Sequence, residues 1–347
     1  MAIDIFATGF LIRLVTALPQ PRTHFLSRYF PYVEEQGGEF ILIDRLKNRP
    51  RLAPFVSPLV EGKVVENLGY NTEAVRPAYI KDKRRFNPFD KVRRLAGETI
   101  GGSLTPEQRR RALVRQNVAD QLQMLTNREE WMASQVLRFG KVTVTGEGFG
   151  TRLVDFRRDP QLTIQLTGAK RWDQGTATPL EDLEEWAQLV YDVSGAQQLE
   201  VTMDPSAWRL LKARLTTDEK KILLDSLRGS RSEVEMGPRQ AATSKYVGTI
   251  GEFDFFVYKQ TFFEVDGSEA ELMDAGRVVM CGAQVEGTRA YGGIYDEEAE
   301  SFMGLRYFNK SWVTPDPSAR WMLMQSSPLV VPMRPDATVS IKVTGPV

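Results

Sequence analysis

The stretch TPEQRRRALVRQNVADQLQMLTNREEWMASQVLRFG, Thr105 to Gly140, decides the architecture of this chain. Thr105, Pro106 and Gln108 form a helix start: a hydroxyl to cap the first amides, a proline in the first turn where an unpaired N–H is no loss, and a glutamine placed to complete a capping box. Val114, Val118, Leu122, Leu125, Met132, Val136 and Phe139 then recur in helical register as one apolar stripe. Gly140 supplies the stop. Thr105 to Phe139 is 35 residues, which at ~1.5 Å per residue gives a helix of roughly 52 Å. An element that long acts as a spine across a flat domain.

Beyond the helix, Lys141–Thr145 and Thr151–Phe156 alternate as strands, joined by the glycine-rich turn Gly146-Glu147-Gly148-Phe149-Gly150. After Pro160 the pattern mixes: helices over Leu180–Val193, Ser206–Leu215 and Thr217–Leu227, and strands over Leu199–Met203, Tyr246–Ile250, Phe253–Tyr258 and Val278–Cys281. This block reads as a second domain, and the class of the whole chain is α+β. The end of the chain returns to strands at Ser311–Thr314, Trp321–Gln325 and Thr338–Val343.

Upstream of the helix, Glu39–Asp44 reads as a strand and Phe55–Asn67 as an extended stretch. Pro50, Pro54, Pro58, Pro77 and Pro88 punctuate the region, and proline cannot donate to a sheet ladder. Residues 39–97 therefore read as a long projecting excursion. Structureless connections of that length are usually functional or partner-bound. Met1–Leu18 is apolar enough to imitate a secretory signal, but Arg13 interrupts the apolar run and Asp4 stands where positive charge belongs. It reads as an amphipathic arm that packs on its own core or on a neighbouring copy.

Composition narrows function. With 347 residues, 42% hydrophobic and 26% charged, the chain is neither disordered nor membrane-spanning, and a sizeable core is possible. It carries 45 basic and 45 acidic residues, so no net charge draws it to phosphate, against a histone-like or repressor-like DNA binder. One cysteine, Cys281, cannot form an internal disulfide, and one histidine, His24, with one cysteine makes a poor zinc or iron site. No cofactor or metal is expected. Nor does His24, in a proline-rich arm, adjoin a nucleophile elbow. The turn at Gly146–Gly150 superficially matches a phosphate-cradling loop, yet the chain runs on into a strand rather than a helix.

Charge is unevenly placed. Residues 76–115 hold 12 basic and 4 acidic residues, and residues 264–300 hold 2 basic and 10 acidic. On opposite edges of a flat subunit these blocks would guide identical copies into register, whereas within one subunit they would be salt bridges of small value or simple solvated faces. Lys83, Arg84, Arg85, Arg93 and Arg94 on one side, and Asp296, Glu297 and Glu298 on the other, are the contact candidates, together with the apolar Phe55, Val56, Leu59, Val64 and Val65. Asp296-Glu297-Glu298 lacks the alternating oxygen ligands of a calcium loop. Arg109, Arg110 and Arg111 sit in the first turns of the helix, where the macrodipole disfavours cations; two readings stand, an external anionic partner (acidic side chains of a neighbour or packaged nucleic acid) and ordinary surface exposure.

Several stretches are similar to one family. Phe55-Val56-Ser57-Pro58-Leu59-Val60 with Gly62, Pro77 and Tyr79, Asn87-Pro88, Arg93-Arg94-Leu95, Arg109-Arg110-Arg111 with Gln116-Asn117, Thr145-Gly146-Glu147, Arg289 with Tyr291-Gly292, Trp312-Val313-Thr314, and Met324-Gln325-Ser326 with Pro328-Leu329 stand in the order of the major capsid proteins of lambda-like tailed bacteriophages, capsid protein E. The resemblance runs from about Phe25 to the C-terminus. It implies the Hong Kong type tailed-phage capsid fold, with an N-terminal arm at 1–38, an extended loop at 39–97, a peripheral domain at 98–158 and 288–330 built on the spine helix, and an axial domain at 159–287 and 331–347. It also implies a non-enzymatic protein that assembles with itself into pentamers and hexamers, first as a procapsid, in the host cytoplasm. The finished virion shell encloses double-stranded DNA held weakly and without sequence preference, alongside portal, scaffold or protease, and decoration proteins, with no membrane. Two other readings stand beside it: a nucleotide- or phosphate-using enzyme served by the Gly146–Gly150 turn, and a nanocompartment shell of the same fold.

Overall fold

The computed structural model describes residues 5–46, 52–59, 61–62, 70–87, 104–220, 222–223, 244–264, 266–299, 305–316 and 318–345. In chain order the first elements are α1 (Thr8–Ala17), α2 (Phe25–Tyr29), β1 (Tyr32–Glu35), β2 (Ile41–Leu46), β3 (Tyr70–Val75), β4 (Ile80–Phe86) and the long α3 (Pro106–Phe139). There follow β5 (Lys141–Gly146), β6 (Phe149–Asp155), β7 (Thr163–Gln165), α4 (Pro179–Ser194), β8 (Glu200–Met203) and α5 (Pro205–Arg214). The remainder is strand: β9 (Ser244–Ile250), β10 (Phe253–Tyr258), β11 (Thr261–Phe263), β12 (Glu269–Glu271), β13 (Arg277–Cys281), β14 (Thr288–Tyr291), β15 (Phe308–Thr314), β16 (Ala319–Ser326), β17 (Pro328–Val331) and β18 (Thr338–Lys342). Residues 217–220 and 222–223 are also helical, and the rest of the helix expected to reach Leu227 lies outside the described residues.

α3 forms as its ends dictate. The Thr105 hydroxyl accepts from the Gln108 amide, the Gln108 side chain accepts from the Thr105 amide, and Gly140 closes the helix at φ +67° with its amide on the Val136 carbonyl. A Cβ on Gly140 would lie 2.7 Å from that of Arg158, so glycine is required there twice over.

The N-terminal half of α3 presents Val114, Val118, Leu122 and Leu125 to a compact cluster with Phe6, Leu11, Val15 and Leu18 of the arm and Met322 and Met324 of β16. Between the two destinations open to the arm, its own core and a neighbour, residues 5–18 take the first: α1 lies along its own spine helix. The sheet that completes this cluster has the order β15-β16-β4. β4 falls inside the stretch read as lacking a core, yet it pairs in register with β16 from Ile80↔Ser326 to Phe86↔Arg320. Ile41 and Ile43 of the same excursion are buried in the main core with Val75 packed against it, so among its described segments only 52–59 and 61–62 are exposed throughout.

The C-terminal half of α3 joins the main core. A six-stranded sheet, β7-β18-β13-β8-β10-β9, packs there with α4, α5 and α2. A smaller sheet, β1-β14-β17, links α2 to the end of the chain, and β2-β3 and β5-β6 stand as two-stranded hairpins. In the first hairpin Ile41 and Ile43 are buried on one side while Phe40 and Leu42 face solvent.

Candidate interaction surfaces

Buried polar groups lock the spine helix to both halves of the subunit. Glu130 Oε1 accepts from the amides of His24 and Phe25 at 2.9 Å and from the Tyr258 hydroxyl at 3.0 Å, and Oε2 accepts from the Leu26 amide at 2.9 Å. Burial raises this carboxyl's pKa, and the four donated hydrogen bonds pull against it. Its neighbour Glu129, equally buried, accepts from the Tyr291 hydroxyl at 2.9 Å and lies 4.0 Å from Arg306; burial raises its pKa too. At the helix end Arg158 donates to the carbonyls of Leu137 (2.6 Å) and Arg138 (2.7 Å), the orphan acceptors of the last turn. Arg138 reaches Asp274 at 2.5 Å and Arg277 reaches it at 2.8 Å; burial lifts the Asp274 carboxyl, but the two guanidiniums outweigh that and hold it below its ordinary range.

The single histidine and the single cysteine are both buried. His24 lies against Phe25, Phe256 and Tyr258 with Nε2 3.0 Å from Thr202 Oγ1, and burial, aided by Arg28, lowers its pKa to about 3. Burial pushes the thiol of Cys281 up, away from the thiolate form a nucleophile needs. In the Gly146–Gly150 turn, Gly146 pairs with Phe149 across an antiparallel hairpin, so no helix N-terminus opens onto a phosphate. Among the described residues no group of three or more His, Cys, Asp or Glu could hold a metal ion. No helix among them is long and apolar enough to cross a membrane.

What the subunit does offer is surface. Leu52, Phe55 and Leu59 are fully exposed, and Phe40, Leu42 and Val56 are exposed as well. A cleft of about 1610 Å³ opens where the base of the excursion (Arg76–Lys81) meets α3 at Arg128 and Trp131, the β5–β6 turn and Tyr295. Arg128 and Glu264 are ion-paired on its wall.

The contact candidates separate into three sets. Phe55, Val56 and Leu59 stand in solvent, Lys83 and Arg85 are exposed on β4, and Glu297 and Glu298 are exposed after β14. Arg84 and Asp296, by contrast, find partners at home: Arg84 pairs with Asp82 (2.9 Å) and Asp120 (2.6 Å), and Asp296 with Lys310 (2.7 Å) and the Gln325 amide (2.6 Å). The same holds in the basic cluster, where the Arg110 guanidinium sits 4.5 Å over the Phe6 ring and Arg111 pairs with Glu107 one turn back at 2.8 Å. A cation in the first turn is tolerated because these groups lie close by. Val64, Val65, Arg93 and Arg94 lie outside the described residues.

The family model for phage major capsid protein E matches residues 8–343. This chain belongs to that family. Among curated members, the major capsid protein of Enterobacteria phage P21 is 30% identical over 346 residues, covering 98% of this chain and 99% of its own. That of Escherichia phage lambda is 30% identical over 325 residues, 92% of each. A solved structure assigned to a prophage capsid protein of E. coli CFT073 superposes with a TM-score of 0.74 at 21% identity, over 99% of this chain and 100% of that one. It shows the same fold, that of tailed-phage capsid proteins.

In this capsid protein E chain the polar struts were the residues that sequence reasoning passed over. Glu129 left a trace: it occupies the stripe position between Leu125 and Met132, where a seven-residue gap breaks the apolar series. Arg158 left none, because its acceptors are backbone carbonyls on another element. The stacking of Lys83 on Trp312 and Trp321 was equally hidden, since it needs the register of three strands.

Proposed function

We propose that this chain is the structural major subunit of a tailed-phage head, a protein of the virion without catalytic activity. Copies close into pentamers and hexamers of an icosahedral shell around double-stranded DNA. Family membership over nearly the whole chain supports the class of function, and one structural observation carries the mechanism. The excursion after β2 displays Leu52, Phe55 and Leu59 to water, fully exposed among the described residues. Burying such side chains against a neighbour returns about 1.5–3 kcal/mol each, and many modest contacts acting together close a shell. A two-stranded hairpin such as β2–β3 is marginal alone and gains the same way.

On this reading residues 1–38 form the arm, whose described part folds on its own spine; 39–97 make the extended loop; 98–158 and 288–330 make the peripheral domain; and 159–287 with 331–347 make the axial domain. β4 is then the loop's root in the peripheral sheet. A net charge of zero suits a container that must hold DNA without condensing on it. Portal, scaffold or protease, and decoration proteins are the further partners of such a head.

Because Leu46 pairs with Tyr70 at the open end of the hairpin, residues 47–69 can be replaced by Asn-Gly, a two-residue turn, with the rest of the subunit unchanged. The full chain should sediment as closed particles visible by negative stain. The shortened chain should remain folded by circular dichroism and form none. Particles of normal size from the shortened chain would refute the role of the loop, and a full chain that stays monomeric and binds nucleotide would refute the shell. DNA, not an enzyme, as the content of native particles separates a phage head from a nanocompartment.

A further inference from the structure

The outer face of the β15-β16-β4 sheet carries an organised row of cations. Its inner face is filled by Met322 and Met324 against α1 and α3. On the outer face, Trp312, Trp321 and Arg85 stand on one rung, Lys310, Leu323 and Lys83 on the next, and Phe308, Gln325 and Lys81 on the third. The Lys83 ammonium lies 4.3 Å from the Trp321 ring centre and 5.4 Å from that of Trp312, and the Arg85 guanidinium 5.9 Å from Trp321. Cation–π contacts of this kind hold the charges in place and leave the ring faces already occupied. The face therefore presents fixed positive charge rather than open rings on which bases could stack.

The chain itself shows what such a face accepts. Across the second and third rungs, the segment after β14 lies over the sheet and sets Asp296 on Lys310 and Gln325, with Ile294, Ala299 and Phe308 packed beneath. The next two residues, Glu297 and Glu298, point into solvent, and among the described residues no cation pairs with either side chain. Nor, among those residues, does a carboxylate pair with Lys83 or Arg85. Each copy thus carries an unmatched acidic corner beside an unmatched basic rung, within a chain whose charges sum to zero.

We infer that Lys83 and Arg85 of one copy receive Glu297 and Glu298 of another, so that the acidic corner which covers one end of its own sheet completes the sheet face of a neighbour. This rests on the shell reading, since it needs a second copy. Every subunit holds both halves, so copies related by a rotation that brings corner to rung repeat the contact, and a ring closes when that rotation is a whole fraction of a turn. Exposed pairs are individually weak and are felt through repetition around the shell, which makes the contact salt-dependent.

The test is charge exchange in the full chain. K83E/R85E and E297K/E298K should each lower particle yield in ~0.1 M salt by roughly tenfold or more, since each sets like charges against one another. The quadruple variant should restore yield to within about threefold of wild type. As a check independent of yield, a K83C/E298C chain should give disulfide-linked multimers on a non-reducing gel only after assembly; Cys281 is buried and silent. Wild type that assembles while the quadruple variant is no better than either double, or a cysteine pair that never links copies, would overturn the contact and leave the shell standing. Reversal variants that assemble normally but package less nucleic acid would make the face a nucleic-acid surface and overturn it equally. A wild-type chain that never assembles would remove the shell reading and this contact together.

Discussion

The single histidine gives the subunit a titration that can be followed alone. His24 is buried against Phe25, Phe256 and Tyr258, with its pKa lowered from 6.5 to about 3 by burial and by Arg28. A depressed histidine means that the unfolded chain binds the proton and the folded chain does not, so its stabilising contribution is whole above pH 6.5 and is lost as pH falls toward 3. At pH 4.5 the unfolded state has gained about two pH units of protonation free energy, about 3 kcal/mol at 1.36 kcal/mol per unit, and near pH 3 the loss approaches about 5 kcal/mol. Glu129 and Glu130, with pKa values raised by burial, pull the other way over part of the same range, so wild type alone would blur the effect. The difference from His24→Asn isolates it. Urea unfolding of unassembled subunits should show the stability of wild type minus that of His24→Asn falling by about 3 kcal/mol between pH 7 and pH 4.5. A difference that does not move with pH, or an imidazole resonance in the folded subunit with a midpoint near 6.5, would refute the reasoning.

Substitutions at Glu130 and Gly140 test the struts, with Gly195→Ala as the control. Glu130→Ala removes the acceptor of three backbone amides and the Tyr258 hydroxyl at once, and should cost roughly 3–5 kcal/mol in chemical denaturation, with Glu130→Gln milder because it keeps one acceptor oxygen. Gly140→Ala and Gly195→Ala both place alanine at left-handed backbone, φ +67° and +69°, each costing about 1 kcal/mol. Only at Gly140 does the new Cβ meet Arg158, at 2.7 Å, so the Gly140 variant should melt markedly lower; equal melting temperatures would deny Arg158 its role at the helix end.

What could be read from the chain follows the range of the interactions involved. The spine helix was legible to a residue because both ends carry local caps, Thr105 with Gln108 and then Gly140. Hairpin β5–β6 and strands β9, β10, β13, β15, β16 and β18 were legible within a few residues from alternation or apolar runs. β4 was not: in Ile80–Phe86 the inward positions include Asp82 and Arg84, which satisfy one another and Asp120, so the alternation of apolar and polar that marks a strand is replaced by charge against charge. The five-residue α2 was invisible because its N-terminal amides are capped by Glu130, more than a hundred residues away. β14 and β17 are four residues each, and β17 opens on Pro328, a residue that argues against a strand until its edge position is known. Of the contact candidates, Phe55, Val56 and Leu59 are exposed, which their place in a proline-punctuated stretch made legible. The charged ones were only half so, because a charge block in sequence does not say which members, such as Arg84 and Asp296, are neutralised within the subunit.

The division between struts and ribbons explains how one chain serves a shell. Polar groups that bind α3 to the rest of the subunit are buried and largely paired, where losing one partner is expensive, so the body keeps its shape whatever its neighbours do. Groups left for neighbours are of the opposite kind: exposed apolar side chains on a ribbon, and exposed charges whose pairs are worth little singly. A subunit built the other way, with strong contacts between copies and a loose interior, would lock into the first misplaced contact. Weak contacts can be broken and remade until a ring closes, and only then do they add up. It follows that reversing Lys83 and Arg85 should lower the monomer's melting temperature by only a few degrees, the share of their contacts with Trp312 and Trp321, while cutting particle yield about tenfold, whereas Glu130→Ala should lower both together. The reverse pattern would mean that the body, not the surface, carries the assembly.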